Sequence, residues 1–183
     1  CGAVRAVPIG LYWAGKPDEA AALAAVESAI TQAEDGIFAA QAMAASVAVL
    51  ADGGALSAAL EHGRRAFPAG SWIARMDGVA RECLHEAAST SDLALLLARQ
   101  VINTVYSFGS AAPETVPAAF ALAEACDGDL HQAVMHANLI PKAADSLPAL
   151  VGALCGCHGG IGQIGPAWRQ ALGTLHGLCL PFL

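Results

Sequence analysis

The segment IFAAQAMAASVAVL (residues 37–50) is apolar on nearly every face of a helix, and only Gln41 and Ser46 interrupt it. A helix without a polar face has to be surrounded by other elements, so this segment is predicted to lie at the centre of a bundle. Most of the 56% hydrophobic residues are Ala and Leu, which are strong helix formers. No segment has the alternating pattern of a strand. The sequence therefore predicts an all-α fold, a helical bundle.

Turn-forming and capping residues divide the rest of the chain into further helices. Pro17 followed by Asp18 and Glu19 is typical of a first helical turn. Residues 106–114 are predicted to form a loop, and the helix after it is predicted to have Pro117 in its first turn. At 183 residues the chain has the length of one domain, residues 1–183. The further predicted helices span residues 18–30, 56–66, 71–85, 90–103, 115–125, 130–139, 147–157 and 167–175.

Charge and cysteine usage exclude several classes of protein. A formal net charge of -7 at pH 7, without a basic stripe, excludes a nucleic-acid-binding surface. Residues 146–168 carry no charged side chain and approach the length of a membrane span, but the glycines between residues 156 and 165 indicate a buried helix that ends in a loop. The six cysteines lack the spacing of a disulfide scaffold, and no secretory signal is found. We therefore expect a cytoplasmic protein that does not enter the membrane.

Three stretches together carry a family resemblance. They are CGAVRAVPIGL (residues 1–11), ITQAED (residues 30–35) and TVPAAFALAEACDGDLHQAVMHANLIPKAADSLPALVGALCGCHGG (residues 115–160). In this order and spacing they resemble the substrate-cleft signature, the threonine–histidine segment and the C-terminal motifs of the ADP-ribosylglycohydrolase family. The resemblance implies the C-terminal half of the family's all-α bundle. It also implies a partner, the N-terminal half of the same processed precursor, which would complete the domain as a separate chain of a heterodimer.

The family's metal motif, G-D-x-D-T/S, aligns with residues 142–146. Asp145 and Ser146 keep the second carboxylate and the hydroxyl, so the resemblance assigns them as metal ligands for Mg²⁺ or Mn²⁺. Ala143 replaces the first carboxylate and Lys142 replaces the glycine. Because Mg²⁺ needs several oxygen ligands, the change at Ala143 is expected to abolish one metal ion. A structural alternative is that Asp145 and Ser146 cap the helix that begins at residue 147.

The resemblance also implies four substrate-binding residues. Gly2 and Arg5 belong to the cleft signature, Gln32 stands where the family has histidine, and Lys142 stands in the metal motif. A guanidinium such as that of Arg5 suits either an anionic ligand or a structural ion pair, and the family analogy favours the ion pair.

The cysteines suggest two other kinds of chemistry. Cys1, as an N-terminal residue, could be a catalytic nucleophile with its own α-amino group as the base, or could simply fill the first position of the signature. Cys155, Cys157 and His158 resemble a zinc cluster. Their spacing, however, lacks the two-residue gap of zinc knuckles, and on the family alignment they fill packing positions.

These observations leave three functions open. The first is a hydrolase of the ADP-ribosylglycohydrolase type, which cleaves an ADP-ribosyl or related riboside bond in a small molecule or an ADP-ribosylated protein once its N-terminal half is present. The second is a catalytically impaired family member that acts as a ligand-binding module, which Ala143 and Gln32 favour. The third is a self-processed enzyme that uses Cys1 as its nucleophile.

Overall fold

The chain forms only helices in the parts that the structure, a computed structural model, describes. These parts are residues 2–102 and 111–172, and no strand occurs in them. The all-α prediction is confirmed. The α-helices are α1 (Gly2–Arg5), α2 (Val7–Tyr12), α3 (Pro17–Ser28), α4 (Asp35–Ala51), α5 (Leu56–Arg64), α6 (Trp72–Glu86), α7 (Thr90–Gln100), α8 (Ala112–Ala125), α9 (Leu130–Ala137), α10 (Leu147–Gly159) and α11 (Pro166–Leu172), with short 3-10 helices at Pro141–Ala143 and Ile161–Gln163.

The helix α4 lies at the centre of the bundle, as its apolar sequence predicts. Residues 39–48 are buried apart from the half-buried Gln41, and α4 contacts α1, α2, α3, α5, α6, α8 and α10. The buried hydroxyl of Ser46 donates to the carbonyl oxygen of Ala59 in α5 at 3.0 Å, so this polar group has a partner inside the core. Gly10 of α2 packs so closely that a Cβ there would lie 2.6 Å from the carbonyl oxygen of Ala44.

The helix α8 begins three residues earlier than the sequence predicts. Residues 112–114, predicted as the end of a loop, form its first turn, and Pro113 occupies a position where no intrahelical N–H is needed. Pro117 therefore lies inside the helix rather than in the first turn. The carbonyl that Pro117 cannot bond belongs to Pro113, at the very start of the helix, where the lost bond disturbs little of the ladder. Residues 106–110 of the predicted loop lie outside the described residues.

The other predicted helices are confirmed, with ends that shift by at most three residues. Residues 173–175, the predicted end of the last helix, lie outside the described residues. The helices α1 and α2, which have 4 and 6 residues, were not predicted from the sequence. Helices this short do not repeat an apolar pattern long enough for the period to be recognised.

Four helices begin at the same end of the bundle, which we call the signature end because Gly2 lies there. The helices α4, α8 and α10 end near one common pocket, which is lined by Leu56 at the start of α5, by Asp127 two residues after α8, and by His158 near the end of α10. The helix α1 contacts all three of these helices. Their first turns therefore lie at the opposite end from this pocket. The backbone N–H of Ile73, in the first turn of α6, donates to Asp35 Oδ1 at 2.9 Å, which brings the start of α6 to the start of α4.

Within the described residues, no helix is long and apolar enough to cross a membrane. The uncharged stretch of residues 146–168 is divided between α10, a 3-10 helix and the start of α11. Gly160, with a φ of 66°, ends α10 and interrupts the stretch.

Candidate active site

The first residues of α1 pack against the turn that joins α3 to α4. A Cβ added at Gly2 would lie 3.1 Å from Cγ of Gln32, and 3.5 Å from both the carbonyl oxygen of Gly36 and Cβ of Ser28. Gly2 and Gln32, two of the predicted substrate-binding residues, are therefore neighbours. A side chain at Gly2 would occupy the space beside Gln32, so the glycine keeps the backbone of α1 close to this turn.

Gln32 is the half-buried polar side chain of this turn. Its Nε2 donates to the carbonyl oxygen of Thr31 at 3.0 Å, and its Oε1 lies 2.9 Å from the position that a Cβ on Gly36 would take. An amide can donate and accept hydrogen bonds, but it does not titrate near neutral pH as histidine does. With Gln32 in place of the family's histidine, this position can orient a ligand but cannot transfer a proton.

Arg5 ties α1 to the end of α3. Its Nε donates to Glu27 Oε1 at 2.9 Å, and its Nη2 donates to Glu27 Oε2 at 3.3 Å and to Thr31 Oγ1 at 2.7 Å. The guanidinium thus makes a two-pronged contact with one carboxylate and also holds the residue before Gln32. The arrangement matches the structural alternative for Arg5, in which the guanidinium positions Gln32 through Thr31. Its side chain stays 41% exposed, so part of the guanidinium still faces solvent.

The segment aligned with the metal motif lies between α9 and α10. Lys142 and Asp145 are exposed, whereas Ala143 is fully buried and Ser146 is 6% exposed. Ser146 Oγ donates to Asp145 Oδ1 at 3.1 Å. Ser146 occupies the N-cap position of α10, but its side chain makes no capping hydrogen bond, so the capping role that the sequence suggested for this hydroxyl is wrong. The hydroxyl instead supports the carboxylate.

The described residues do not supply enough ligands for a metal ion. Asp145 offers one carboxylate, the hydroxyl of Ser146 is hydrogen-bonded to it, and the methyl group of Ala143 offers no oxygen. No group of three or more His, Cys, Asp or Glu side chains in residues 2–102 and 111–172 is arranged to hold a metal. Because Mg²⁺ takes near-octahedral oxygen coordination, a metal ion at Asp145 would need ligands from outside this part of the chain.

The signature end has an electrostatic character that comes from the backbone. The helices α4, α6, α8 and α10 all begin there, and the first turn of a helix carries free N–H groups and the positive end of its dipole. Four such starts favour an anionic ligand at this end of the bundle. Two N–H groups of α6 already have acceptors, Ile73 in Asp35 Oδ1 and Ala74 in Ser71 Oγ. The first turn of α8 is buried together with the side chain of Glu114, so the preference is partly offset.

Three residues that support this end of the bundle were not predicted from the sequence. Glu27 and Thr31 hold Arg5, and Asp35 joins the starts of α4 and α6. Thr31 and Asp35 lie within the ITQAED segment, so their neighbourhood was recognised without their roles. No local sequence pattern indicates the role of Glu27, because its partner Arg5 is 22 residues away in sequence.

One buried carboxyl group in α8 lacks a hydrogen-bond partner among the described residues. Glu114 is fully buried in the first turn of α8, and neither of its carboxylate oxygens has a hydrogen-bond partner in the part of the chain that the structure describes. Burying a polar group without a hydrogen-bond partner is unfavourable. Glu114 is therefore a point where the fold gives up stability.

The cysteines of the described residues are poor nucleophiles. Burial, with a smaller effect from the charge of Asp129, raises the pKa of Cys126 to about 11. Burial, together with Cys126 and Asp129, raises the pKa of Cys155 to about 12. Burial also raises the pKa of Cys157. A high thiol pKa keeps the reactive thiolate rare at neutral pH. Cys1, the predicted nucleophile, lies outside the described residues.

Comparison with known proteins identifies the family to which this chain belongs. A family model described as ADP-ribosylglycohydrolase matches residues 1–180. The chain belongs to the ADP-ribosylglycohydrolase family, which confirms the resemblance seen in the three sequence stretches. Neither the curated proteins nor the solved structures compared with the chain contain a match. The family supports a general assignment as an ADP-ribosylglycohydrolase-like hydrolase, and it is generally metal-dependent.

Proposed function

We propose that this chain forms part of a hydrolase that cleaves an ADP-ribosyl bond or a related riboside bond. Family membership supports the hydrolase chemistry. The observation that carries the proposal is that Gly2 lies beside Gln32 at the signature end. The helix α10 begins at the same end, directly after Asp145 and Ser146. Segments that are far apart in sequence thereby bring the cleft signature and the remaining acid of the metal motif to one end of the bundle.

The groups at this end suit the parts of an ADP-ribosyl substrate. The four helix starts favour the negative charge of a pyrophosphate. The amide of Gln32 and the exposed carboxylate of Asp145 can hydrogen-bond hydroxyl groups of a ribose. Arg5 keeps Gln32 in place through Thr31 and leaves part of its guanidinium available for an anionic ligand.

The proposed hydrolase is completed by a second polypeptide, the N-terminal half of the same precursor. Asp145 is a single available carboxylate and Gln32 cannot transfer a proton, so the remaining metal ligands and the acid have to come from outside the described residues. The proposal therefore includes a heterodimer in the cytoplasm, with Mg²⁺ or Mn²⁺ bound between the two parts. Lys142, exposed beside Asp145 in sequence, is proposed to contact the substrate.

A ligand-binding module is the second candidate. It is favoured by two substitutions that affect chemistry and leave the packing intact: Ala143 is buried where the family has a metal-binding carboxylate, and Gln32 replaces a histidine. Such a protein would bind ADP-ribose without turnover. A third possibility, a self-processed enzyme that uses Cys1, predicts that a longer precursor carrying Cys1→Ala stays uncleaved, and cleavage of that variant would eliminate it.

Hydrolysis of ADP-ribosylated protein by the purified native assembly tests the proposal, with ADP-ribose binding measured by calorimetry. Asp145→Asn should lower hydrolysis at least about ten-fold, whereas Asp127→Asn, the same change at an exposed carboxylate on the opposite end, should not. Binding of ADP-ribose without hydrolysis, even with Mn²⁺ or Mg²⁺ added, would favour the binding module. An assembly that neither binds nor hydrolyses would refute both candidates.

A further inference from the structure

The helix α3 is apolar on two opposite sides. Its Ala20, Ala24 and Ser28 are fully buried, and α4 is its principal neighbour. On the other side, Leu23 and Val26 are 43% and 70% exposed. Exposed apolar side chains that lie together mark an interaction surface, so α3 has one side packed in the core and a second apolar side that is open to a neighbour.

Exposed apolar side chains are concentrated around this helix. Nine large apolar side chains are exposed in the described residues, and five of them lie on α2, on α3 or in the turn after α3. We call Leu23, Val26 and Ile30, with the exposed Ala22 and Ala29 between them, the α3 face. Ile30 is 80% exposed. The small alanines beside larger aliphatic side chains leave the grooves into which the ridges of another helix can pack. The five exposed side chains are Leu11, Tyr12, Leu23, Val26 and Ile30.

The charges around the α3 face are mainly acidic. Arg5 is already bonded to Glu27, and Lys16 lies 5.6 Å from the centre of the Trp13 ring. Asp18 Oδ1 also lies 3.0 Å from His62 Nε2. Together these contacts offset only part of the negative charge. A second copy of the chain would bring the same acidic rim against itself, which is unfavourable. The acidic residues of the rim are Asp18, Glu19, Glu27 and Glu34.

We propose that the α3 face binds an amphipathic helix whose apolar side is flanked by Lys or Arg, and that this helix belongs to the polypeptide that completes the active site. The second clause rests on the proposed function. The apolar contacts supply the affinity, and the basic flanks meet the acidic rim. Ile30 precedes Gln32 by two residues, and Ser28, the last residue of α3, lies against Gly2. A helix on this face therefore reaches the signature end.

Site-specific photo-crosslinking tests this proposal in the protein produced from its native gene. Benzoylphenylalanine at Val26 is compared with the same group at Leu95, an exposed side chain of α7 (52% exposed) away from α3. The expected result is a cross-link at Val26, and not at Leu95, to a peptide with apolar residues at i, i+3 or i+4 and i+7 and basic residues beside them. A cross-link to α3 of a second copy, to an acidic segment or to lipid would overturn the proposal, as would no cross-link.

A matched pair of substitutions provides the second arm. Val26→Asp should weaken the association about ten-fold or more, and Leu95→Asp should leave it unchanged. Both side chains are exposed, so the fold should tolerate both changes, which far-UV circular dichroism verifies. Equal effects of the two substitutions would contradict the proposal. Hydrolysis of ADP-ribosylated protein by the same preparations separates the two ideas: activity without the cross-link refutes only the α3 face, and the cross-link without activity refutes only the hydrolase.

Discussion

Replacing Arg64 by methionine should be among the most destabilising single changes at a polar residue of this bundle. Arg64 Nε donates to Asp77 Oδ1 at 3.1 Å and to Oδ2 at 3.2 Å, and its Nη2 donates to Glu124 Oε2 at 3.3 Å. The guanidinium also lies 5.5 Å from the centre of the Phe120 ring. The side chains of Arg64 and Asp77 are only 18% and 10% exposed. Arg64 therefore compensates a buried carboxylate between α5, α6 and α8.

The expected loss in the free energy of unfolding depends on how deeply the charge left without its partner is buried. Removing one partner of a buried ion pair costs about 3–5 kcal/mol, because the other charge stays buried. Glu124 is 47% exposed, and an exposed pair contributes only about 0–1 kcal/mol. We therefore expect Arg64→Met to lower the free energy of unfolding by about 3–5 kcal/mol and Glu124→Gln, the matched control, by less than about 1 kcal/mol. The double variant Arg64→Met with Asp77→Asn should recover part of the loss, because it removes the stranded charge.

The stability loss in Arg64→Met should change with pH in a direction that the pKa of Asp77 determines. Burial raises the pKa of Asp77 even though the charge and hydrogen bond of Arg64 lower it. A carboxyl whose pKa is raised by folding holds its proton more tightly in the folded state, so its contribution to stability falls as pH rises from the unfolded pKa to the folded one. Without Arg64 the pKa of Asp77 should rise further. The loss in Arg64→Met should therefore be larger at pH 7 than at pH 4.

Urea unfolding followed by circular dichroism, at pH 4 and pH 7, measures these differences between variants. The comparison of variants at each pH cancels the titration of the other carboxylates. A loss below about 1 kcal/mol in Arg64→Met, or a loss that does not grow with pH, would show that Asp77 is not a buried charge that depends on Arg64.

Three further predictions concern the core and the thiols. Gly10→Ala should destabilise the fold by about 1–3 kcal/mol because its Cβ would meet the backbone of Ala44; Gly78→Ala, with open space around its Cβ, should be neutral or stabilising in the same thermal melt. Glu114→Met should raise the free energy of unfolding by about 1–3 kcal/mol, since it removes two buried carboxyl oxygens that have no hydrogen-bond partner within residues 2–102 and 111–172; a fall would reveal a partner. Cys126, with a pKa of about 11, should react slowly with iodoacetamide at pH 8 and about ten-fold faster for each pH unit up to pH 10, as followed by peptide mass spectrometry; rapid labelling at pH 8 would contradict the raised pKa.

Local features of the chain were sufficient for the helices α3 to α11 and their order. The all-round apolar pattern of residues 37–50 placed α4 at the centre, and Pro, Gly and acidic first-turn residues marked most helix ends. These signals depend on neighbours a few residues apart, which is why they can be recognised without a fold. The start of α8 was predicted three residues too late because the same local signals were ambiguous there. Two prolines, Pro113 and Pro117, each fit a first turn, and burial of the whole segment by the surrounding helices determined which one does.

Tertiary structure decided what the site residues do. The family resemblance selected Gly2, Arg5, Gln32 and Asp145, but no local pattern joins Arg5 to Glu27, which is 22 residues away. The sequence allowed Ser146 to cap α10, and only the fold shows that its hydroxyl donates to Asp145. The physical reason is that hydrogen bonds between separate helices depend on distance and angle within a few tenths of an ångström. Helix packing sets those quantities, whereas the order of residues along one helix does not.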